Sequence, residues 1–171
     1  NQAPRVHELR GRTLGIVGLG TIGKKTARLA QAFGMTVIYH DIARLAEDQE
    51  DLLNVRFRLL RELLREADVV SLHTPLNATT RQLIGAAELA LMKPQAFLIN
   101  TARGGLVDEQ ALADALRRGH LGGAATDVLT QEPPRDGNPL LAADIPRLIV
   151  TPHSAWGSRE ARQRIVMQMM E

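Results

Sequence analysis

The chain has no cysteine, which removes disulfides, thiolate metal sites and a cysteine nucleophile. Aromatic residues are nearly missing as well. Phe33, Tyr39, Phe57, Phe97 and Trp156 are the whole set in 171 residues, so the core must be aliphatic and rich in alanine. Long hydrophobic runs are also lacking: the longest are strand-length, far short of a membrane span. Neither sign of charge dominates, with 21 Lys and Arg against 19 Asp and Glu. A net charge of +2 is too small to argue for a nucleic-acid partner, despite a pI of about 9.5. No signal peptide is visible, which makes the cytoplasm the default compartment, although the chain opens on Asn1 rather than Met, so the protein's own start is expected to lie upstream. A hydrophobic content of 44% and a charged content of 23% are ordinary for a globular protein of one domain.

Against that plain background one stretch stands out. Thr13 to Val17 is a short apolar run, and it leads into Gly18-Leu19-Gly20-Thr21-Ile22-Gly23, a G-x-G-x-x-G pattern. A helical pattern follows at once. Ile22, Thr26, Leu29, Ala30 and Phe33 recur as its inner face, with Lys24, Lys25 and Arg28 outside and Gly34 as the stop. In this reading Gly18 permits the tight turn out of the strand and Gly20 lets a pyrophosphate approach the backbone. Gly23 lets helix and strand pack closely. A second strand, Met35 to His40, ends in Asp41, about 18 residues past Gly23, near where a ribose-binding acid belongs. That order selects a dinucleotide site over a plain βαβ crossover.

The rest of the chain alternates in the same manner. Asn1 to Arg12 reads as a linker, and residues 42–55 as a charged loop with a short helix. Val55 to Phe57 is a short strand, and Leu59, Leu60, Leu63 and Leu64 form one helical stripe. Ala67 to His73 and Ala96 to Asn100 are apolar strands. Asp108 caps a helix that ends at Arg118, with Val107 and Leu112 at staple spacing and Gly119 beyond. Gly123 to Val128 and Arg147 to Thr151 supply two more strands. Ser158 opens a final helix with Ile165, Val166, Met169 and Met170 on one face. Strands that are nearly all apolar, separated by helices, imply a doubly wound parallel sheet in a three-layer αβα fold. Functional groups then belong at the strands' carboxyl ends, at Gly18 to Ile22, Asp41, Thr74-Pro75, Asn100 to Arg103, Asp127 and His153.

Three ionisable residues stand out there: Arg103, Glu132 and His153. A ketone that accepts a hydride needs a proton on its oxygen, and histidine can donate one near neutral pH. A carboxylate beside that histidine would fix its tautomer and favour the imidazolium. An arginine offers a planar fork for a substrate carboxylate and can polarise the carbonyl. No metal ligand set is expected. His7, His40, His73 and His120 read as structural or solvated, and Asp68 and Asp144 as turn or cap residues.

The chain resembles the nucleotide-binding domain of the D-isomer-specific 2-hydroxyacid dehydrogenases. The stretches that carry the likeness are L-G-I-V-G-L-G-T-I-G at 14–23, V-S-L-H-T-P-L at 70–76 and L-M-K-P-Q-A-F-L-I-N-T-A-R-G-G-L-V-D at 91–108. D-V-L-T-Q-E-P-P at 127–134 and T-P-H-S-A-W at 151–156 complete them. Residues 138–162 are most similar to the glycerate dehydrogenase (hydroxypyruvate reductase) branch. The resemblance implies an Arg–Glu–His catalytic set carried by Arg103, Glu132 and His153. It implies NAD contacts at Thr21, Ile22, Asp41, Thr74, Pro75, Thr80, Thr101, Ala102, Arg103 and Asp127, with His153, Ser154, Ala155 and Trp156 on the nicotinamide side. Thr80 rests on the resemblance alone.

It further implies hydride transfer between NADH and a small 2-keto acid such as hydroxypyruvate or glyoxylate. Asp41 favours NAD over NADP; Ile42 after it offers no cation, although Arg44 is close by. The expected organisation is a linker at 1–12, an NAD-binding domain at 13–157 and the start of a C-terminal helix at 158–171. The family's substrate-binding domain is absent from these residues, so alone they are expected to bind NAD(H) with little or no turnover. Dimerisation through this domain is the family's habit. The competing class is an NAD-responsive binding protein, like the related corepressors. Within enzymes, phosphoglycerate, lactate, formate and phosphite are the other substrates to weigh.

Overall fold

Seven apolar segments become seven parallel strands of one sheet in the computed structural model, which describes residues 8–169. His7 and Met170 lie outside the described residues. In chain order the elements are β1 (Thr13–Val17), α1 (Thr21–Ala32), β2 (Thr36–His40), α2 (Glu47–Leu53) and β3 (Arg56–Phe57). Next come α3 (Leu60–Glu66), β4 (Val69–Leu72), α4 (Ala86–Leu91), β5 (Phe97–Asn100) and α5 (Glu109–Arg117). The chain then runs through β6 (Gly123–Thr126), β7 (Leu148–Val150) and α6 (Arg159–Gln168). The strand order is β3-β2-β1-β4-β5-β6-β7, so the direction of winding reverses at β1 and the crevice opens between β1 and β4.

Strand alternation divides the core between the two faces. Leu14 and Ile16 of β1 pack with Val37 and Tyr39 of β2 on one side. Val17 and Ile38 join Leu63, Leu64, Leu72, Leu98 and Leu116 on the other. Helix α3 lies so close over β1 that a Cβ at Gly15 would come within 2.6 Å of the Leu63 side chain. Helix α5 shows how local signals and packing agree. Asp108 accepts from the Ala111 N–H at 3.0 Å as N-cap, and Leu112, Ala113, Ala115 and Leu116 are buried. Burial of the two leucines contributes roughly 2 kcal/mol each, and Gly119 ends the helix at φ +69°.

Several expectations need correction. The face that α1 turns to the sheet is Gly23, Ala27 and Ala30, while Ile22, Leu29 and Phe33 are about two-thirds exposed. The helix must approach β1 too closely for large side chains: a Cβ at Gly23 would overlap the Gly18 carbonyl oxygen. Leu59 is exposed in the same way, leaving Leu63 and Leu64 to anchor α3. Asp68 is more than a turn residue, since it joins the Thr13 N–H (2.8 Å) to the Lys93 ammonium (3.0 Å). Asp144 lies in a turn, as expected, and in addition pairs with Arg117 at 2.8 Å. Helix α4, only six residues long, is too short for its period to register in the sequence.

Candidate active site

Because all seven strands run the same way, their carboxyl ends form one edge of the sheet. Gly18, Asp41, Thr74, Asn100, Asp127 and His153 each stand at or within three residues of a strand's end, and so gather along that edge. The neighbours in register are explicit at Leu72 and Asn100 (β4, β5) and at Asn100 and Thr126 (β5, β6).

The glycine turn has the shape that a diphosphate needs. Gly18 adopts φ +95°, and a Cβ there would strike the His73 carbonyl carbon at 2.7 Å. A Cβ at Gly20 would meet nothing within 4 Å, so its space lies open in front of α1. Helix α1 has no side-chain cap at Gly20 and no acidic residue in its first turn. Its first N–H groups and positive dipole end are therefore left for an anion. Asp41 reaches back to this turn: its Oδ2 accepts from the Leu19 N–H at 2.7 Å. The ribose-binding candidate thus also fixes the loop that would hold the phosphates.

Glu132 and His153 are brought into direct contact. His153 Nδ1 lies 2.6 Å from Glu132 Oε2, and the other carboxylate oxygen accepts from the Leu129 N–H at 2.7 Å. Burial pushes the Glu132 carboxyl up, but its bonds to His153 and Leu129 and the charge of His153 outweigh that and hold it below the usual carboxylate range. With Nδ1 engaged, Nε2 is the ring nitrogen left to face a substrate. His153 sits at φ +50°, in the left-handed region, a strained conformation for a non-glycine residue. The strain is held by Asp127, 4% exposed. Its carboxylate accepts from Thr151 Oγ1 (2.5 Å), the Ser154 N–H (2.9 Å) and the Ala155 N–H (2.8 Å). Burial raises the Asp127 carboxyl too, but these three donors and the His153 charge together hold it low.

Arg103 is exposed, and among the described residues it makes no bond to Glu132 or His153; its Nη1 donates to the Ala102 carbonyl at 2.7 Å. Its placement comes from neighbours. Buried Asn100 accepts from the Ala102 N–H (3.1 Å) and donates to the Arg103 carbonyl (2.9 Å), closing a tight loop at the end of β5. The backbone at Gly104 then lies against Leu129 and Thr130, where a Cβ would overlap the Leu129 carbonyl group. Glu109 completes the tie, accepting from the Thr130 N–H and from Asn138 Nδ2, both at 2.8 Å. The loops carrying Arg103 and Glu132 are thereby joined. Glu109 and Gly104 escaped the sequence reading; the only signal for Glu109 is an acid one residue inside a capped helix, which usually marks dipole compensation.

The remaining candidates differ in what they offer. Thr74 is half-buried, and Pro75 and Thr101 are exposed beside the crevice. Thr80 is 9% exposed, and its hydroxyl donates to the Pro75 carbonyl at 2.7 Å while accepting from the Asn77 N–H at 2.9 Å, which folds the loop after β4. Ser154, Ala155 and Trp156 are exposed, and the Trp156 indole donates to the His153 carbonyl at 2.9 Å. The other described histidines are satisfied structurally: His40 by the Arg58 carbonyl, His73 by Ser71, His120 by the Leu89 carbonyl. Among the described residues no cluster of His, Asp and Glu has a metal-binding arrangement.

Comparison with known proteins places this geometry in a family. The profile of the D-isomer specific 2-hydroxyacid dehydrogenase NAD binding domain matches residues 1–155. This chain belongs to that family. It is 48% identical over 166 residues to a glycerate dehydrogenase of Methylorubrum extorquens, covering 97% of this chain and 50% of the relative. It is 46% identical over 164 residues to a glyoxylate reductase of Aeropyrum pernix, covering 96% of this chain and 48% of the relative. Among solved structures it superposes with TM-score 0.85 on the NAD-complexed D-isomer specific 2-hydroxyacid dehydrogenase of Lactobacillus delbrueckii ssp. bulgaricus. Identity there is 35%, with 96% of this chain and 52% of that one covered. The chain spans about half the length of the curated relatives it matches.

This dehydrogenase NAD-binding domain fits its cofactor on its own geometry. The open ground in front of Gly20, the uncapped start of α1 and the acid at Asp41 are the features that a diphosphate and an adjacent ribose would need, and they stand in that order along the sheet edge.

Proposed function

We propose that the complete protein is an NAD-dependent oxidoreductase that interconverts a small 2-keto acid and its 2-hydroxy acid, with hydroxypyruvate (to D-glycerate) or glyoxylate (to glycolate) as the substrate. The observation that carries this reading is the 2.6 Å contact between His153 Nδ1 and Glu132 Oε2 at the sheet edge that also bears the glycine turn. NADH, when bound at that turn, would supply the hydride. Arg103 then grips the substrate carboxylate and polarises the carbonyl, and its exposed guanidinium suits a planar anion. His153 Nε2 gives the proton to the carbonyl oxygen, or removes it from the hydroxyl in the reverse direction. Glu132 keeps Nδ1 protonated and the ring oriented, and Asp127 holds the loop from which the ring projects.

The relatives' names, glycerate dehydrogenase and glyoxylate reductase, support the choice of substrate. We further infer a second, substrate-binding domain in the complete protein, which closes over the crevice and excludes water. Dimerisation through this domain and a cytoplasmic location belong to the same reading. Among the described residues no helix is long and apolar enough to cross a membrane. Steady-state oxidation of NADH by the complete protein, across a panel of hydroxypyruvate, glyoxylate, pyruvate and 3-phosphohydroxypyruvate, tests it. Turnover with hydroxypyruvate or glyoxylate above the others is expected. Tight NADH binding with no turnover on any of them would point to an NAD-responsive binding protein instead.

A further inference from the structure

The loop after β2 contains a charged pair that the proposed chemistry does not use. Glu50 of α2 is only 2% exposed, yet it carries a carboxylate. Its Oε1 accepts from the Tyr39 hydroxyl and from Arg44 Nε, each at 3.0 Å, and Arg44 Nη2 lies 3.5 Å from Oε2. The Tyr39 hydroxyl in turn accepts from the Leu45 N–H at 2.8 Å. The Arg44 guanidinium lies 5.5 Å from the centre of the Phe57 ring, in cation–π range. Phe57 meets Tyr39 edge-on at 5.6 Å. Burial pushes the Glu50 carboxyl up, but the bonds from Arg44 and Tyr39 and the Arg44 charge outweigh it, so the acid stays ionised.

Arg44 stands three residues beyond Asp41, in the loop where an adenosine ribose would lie, and its side chain is 60% exposed. A cation there is the usual means of accepting a 2′-phosphate. Here the guanidinium is turned onto Glu50 and Phe57, and its charge is cancelled. Counting the near groups, Asp41 contributes one negative charge, and Arg44 and Glu50 sum to zero; Glu47, which also faces Arg44, adds further negative charge. The loop therefore opposes a phosphate dianion even though it contains an arginine. Neutralising Glu50 would release a planar fork and raise the local charge by one unit.

We propose that Glu50 is a specificity-determining residue: by holding Arg44 against Phe57 and cancelling its charge, it keeps the ribose loop selective for a dinucleotide with a free 2′-hydroxyl. This rests on the NAD site described above, not on the identity of the substrate. The test is fluorescence titration of the complete protein with NADH and with NADPH. Wild type is compared with Glu50→Gln, Arg44→Gln and the double variant. The amide introduced by Glu50→Gln keeps an acceptor for the Tyr39 hydroxyl, and the amide introduced by Arg44→Gln keeps a donor for Glu50, so each single variant retains a bonded core. Glu50→Gln should tighten NADPH binding by about fivefold, the effect of one unit charge near a partly screened phosphate. NADH should stay within about twofold. The gain should vanish in the double variant, which restores the wild-type charge, and Arg44→Gln alone should weaken NADPH binding by about fivefold, because it leaves the Glu50 carboxylate uncancelled.

Unchanged NADPH affinity in a folded Glu50→Gln protein would overturn the proposal, as would a gain that survives loss of Arg44. Should Glu50→Gln fail to fold, Arg44→Gln decides: a loss of NADPH affinity of about a hundredfold would mean that Arg44 is already a phosphate ligand and would overturn the proposal, whereas a loss near fivefold upholds it. Failure of wild type to bind NADH at all would overturn the site reading and this inference together.

Discussion

His153 Nδ1 and Glu132 Oε2 stand 2.6 Å apart although 21 residues separate them in the chain. One comes from the loop after β7 and the other from the loop after β6, two strands that are neighbours in the sheet. The contact leaves only Nε2 free for the proposed proton transfer, so the two residues are assigned different roles. Replacing His153 by alanine in the complete enzyme should lower kcat for keto-acid reduction by roughly 10²–10⁴, the ordinary worth of a positioned acid. Near-normal turnover in that variant would remove histidine from the mechanism.

Glu132→Gln should behave differently. The amide can still accept from the Leu129 N–H, but it no longer stabilises a charged imidazole. Turnover of the keto acid should fall by about tenfold, the size of one charge-assisted bond, with the Michaelis constant for NADH nearly unchanged. Turnover equal to that of wild type would assign Glu132 a purely structural role.

Asp127 makes the His153 loop acid-sensitive in a defined direction. Its carboxyl is held low in the folded state, so the stabilisation is present above the usual carboxylate range and is lost as pH falls through the lowered value. Trp156, the single tryptophan, bonds to the His153 carbonyl within that loop and reports on it. Its fluorescence should hold steady through mildly acidic pH and change at lower pH. In Asp127→Asn the loop should be altered already at neutral pH, because an amide cannot accept on both sides. A fluorescence transition unaffected by Asp127→Asn would contradict this.

Gly104 and Glu109 should separate packing from positioning. A Cβ at Gly104 would overlap the Leu129 backbone, so Gly104→Ala should destabilise the domain by about 1–3 kcal/mol. That corresponds to a loss of roughly 2–10 °C in Tm by calorimetry. Glu109→Ala leaves the core of α5 intact but frees Thr130 and Asn138. Its melting temperature should change by less, while kcat falls, by up to about a hundredfold if the Glu132 loop shifts by near an ångström. Equal losses of stability and no loss of kcat would deny Glu109 any positioning role.

Asp41 holds the glycine turn and is the proposed ribose partner, and its variants should show both. Asp41→Ala removes the acceptor for the Leu19 N–H and the carboxylate proposed to meet the ribose. NADH binding should weaken by about tenfold, the size of one charge-assisted bond. NADPH, relieved of a like charge, should lose much less. Equal losses for the two dinucleotides would show that only the turn had been disturbed.

The sheet and the outline of the site were readable before any coordinates, because the relevant signals are local. An apolar run followed by G-x-G-x-x-G and a helix must turn sharply, and β-strand length, the Asp108 cap and Gly119 act over a few residues. The parallel order then carries Gly18, Asp41, Arg103, Asp127 and His153 to one edge without further instruction. What sequence could not decide are relations between segments far apart in the chain. Helical spacing marked Ile22, Leu29 and Phe33 as an inward face, but close approach to β1 admits only Gly23, Ala27 and Ala30. The sequence showed only that Arg44 is close to Asp41; that Glu50 takes up its charge appears once the fold sets the two side by side. The grip of Glu109 on Thr130 and Asn138 likewise exists only once β5 and β6 are paired. Turns and caps are governed by forces within a few residues, whereas packing distance and charge pairing depend on what the sheet sets side by side.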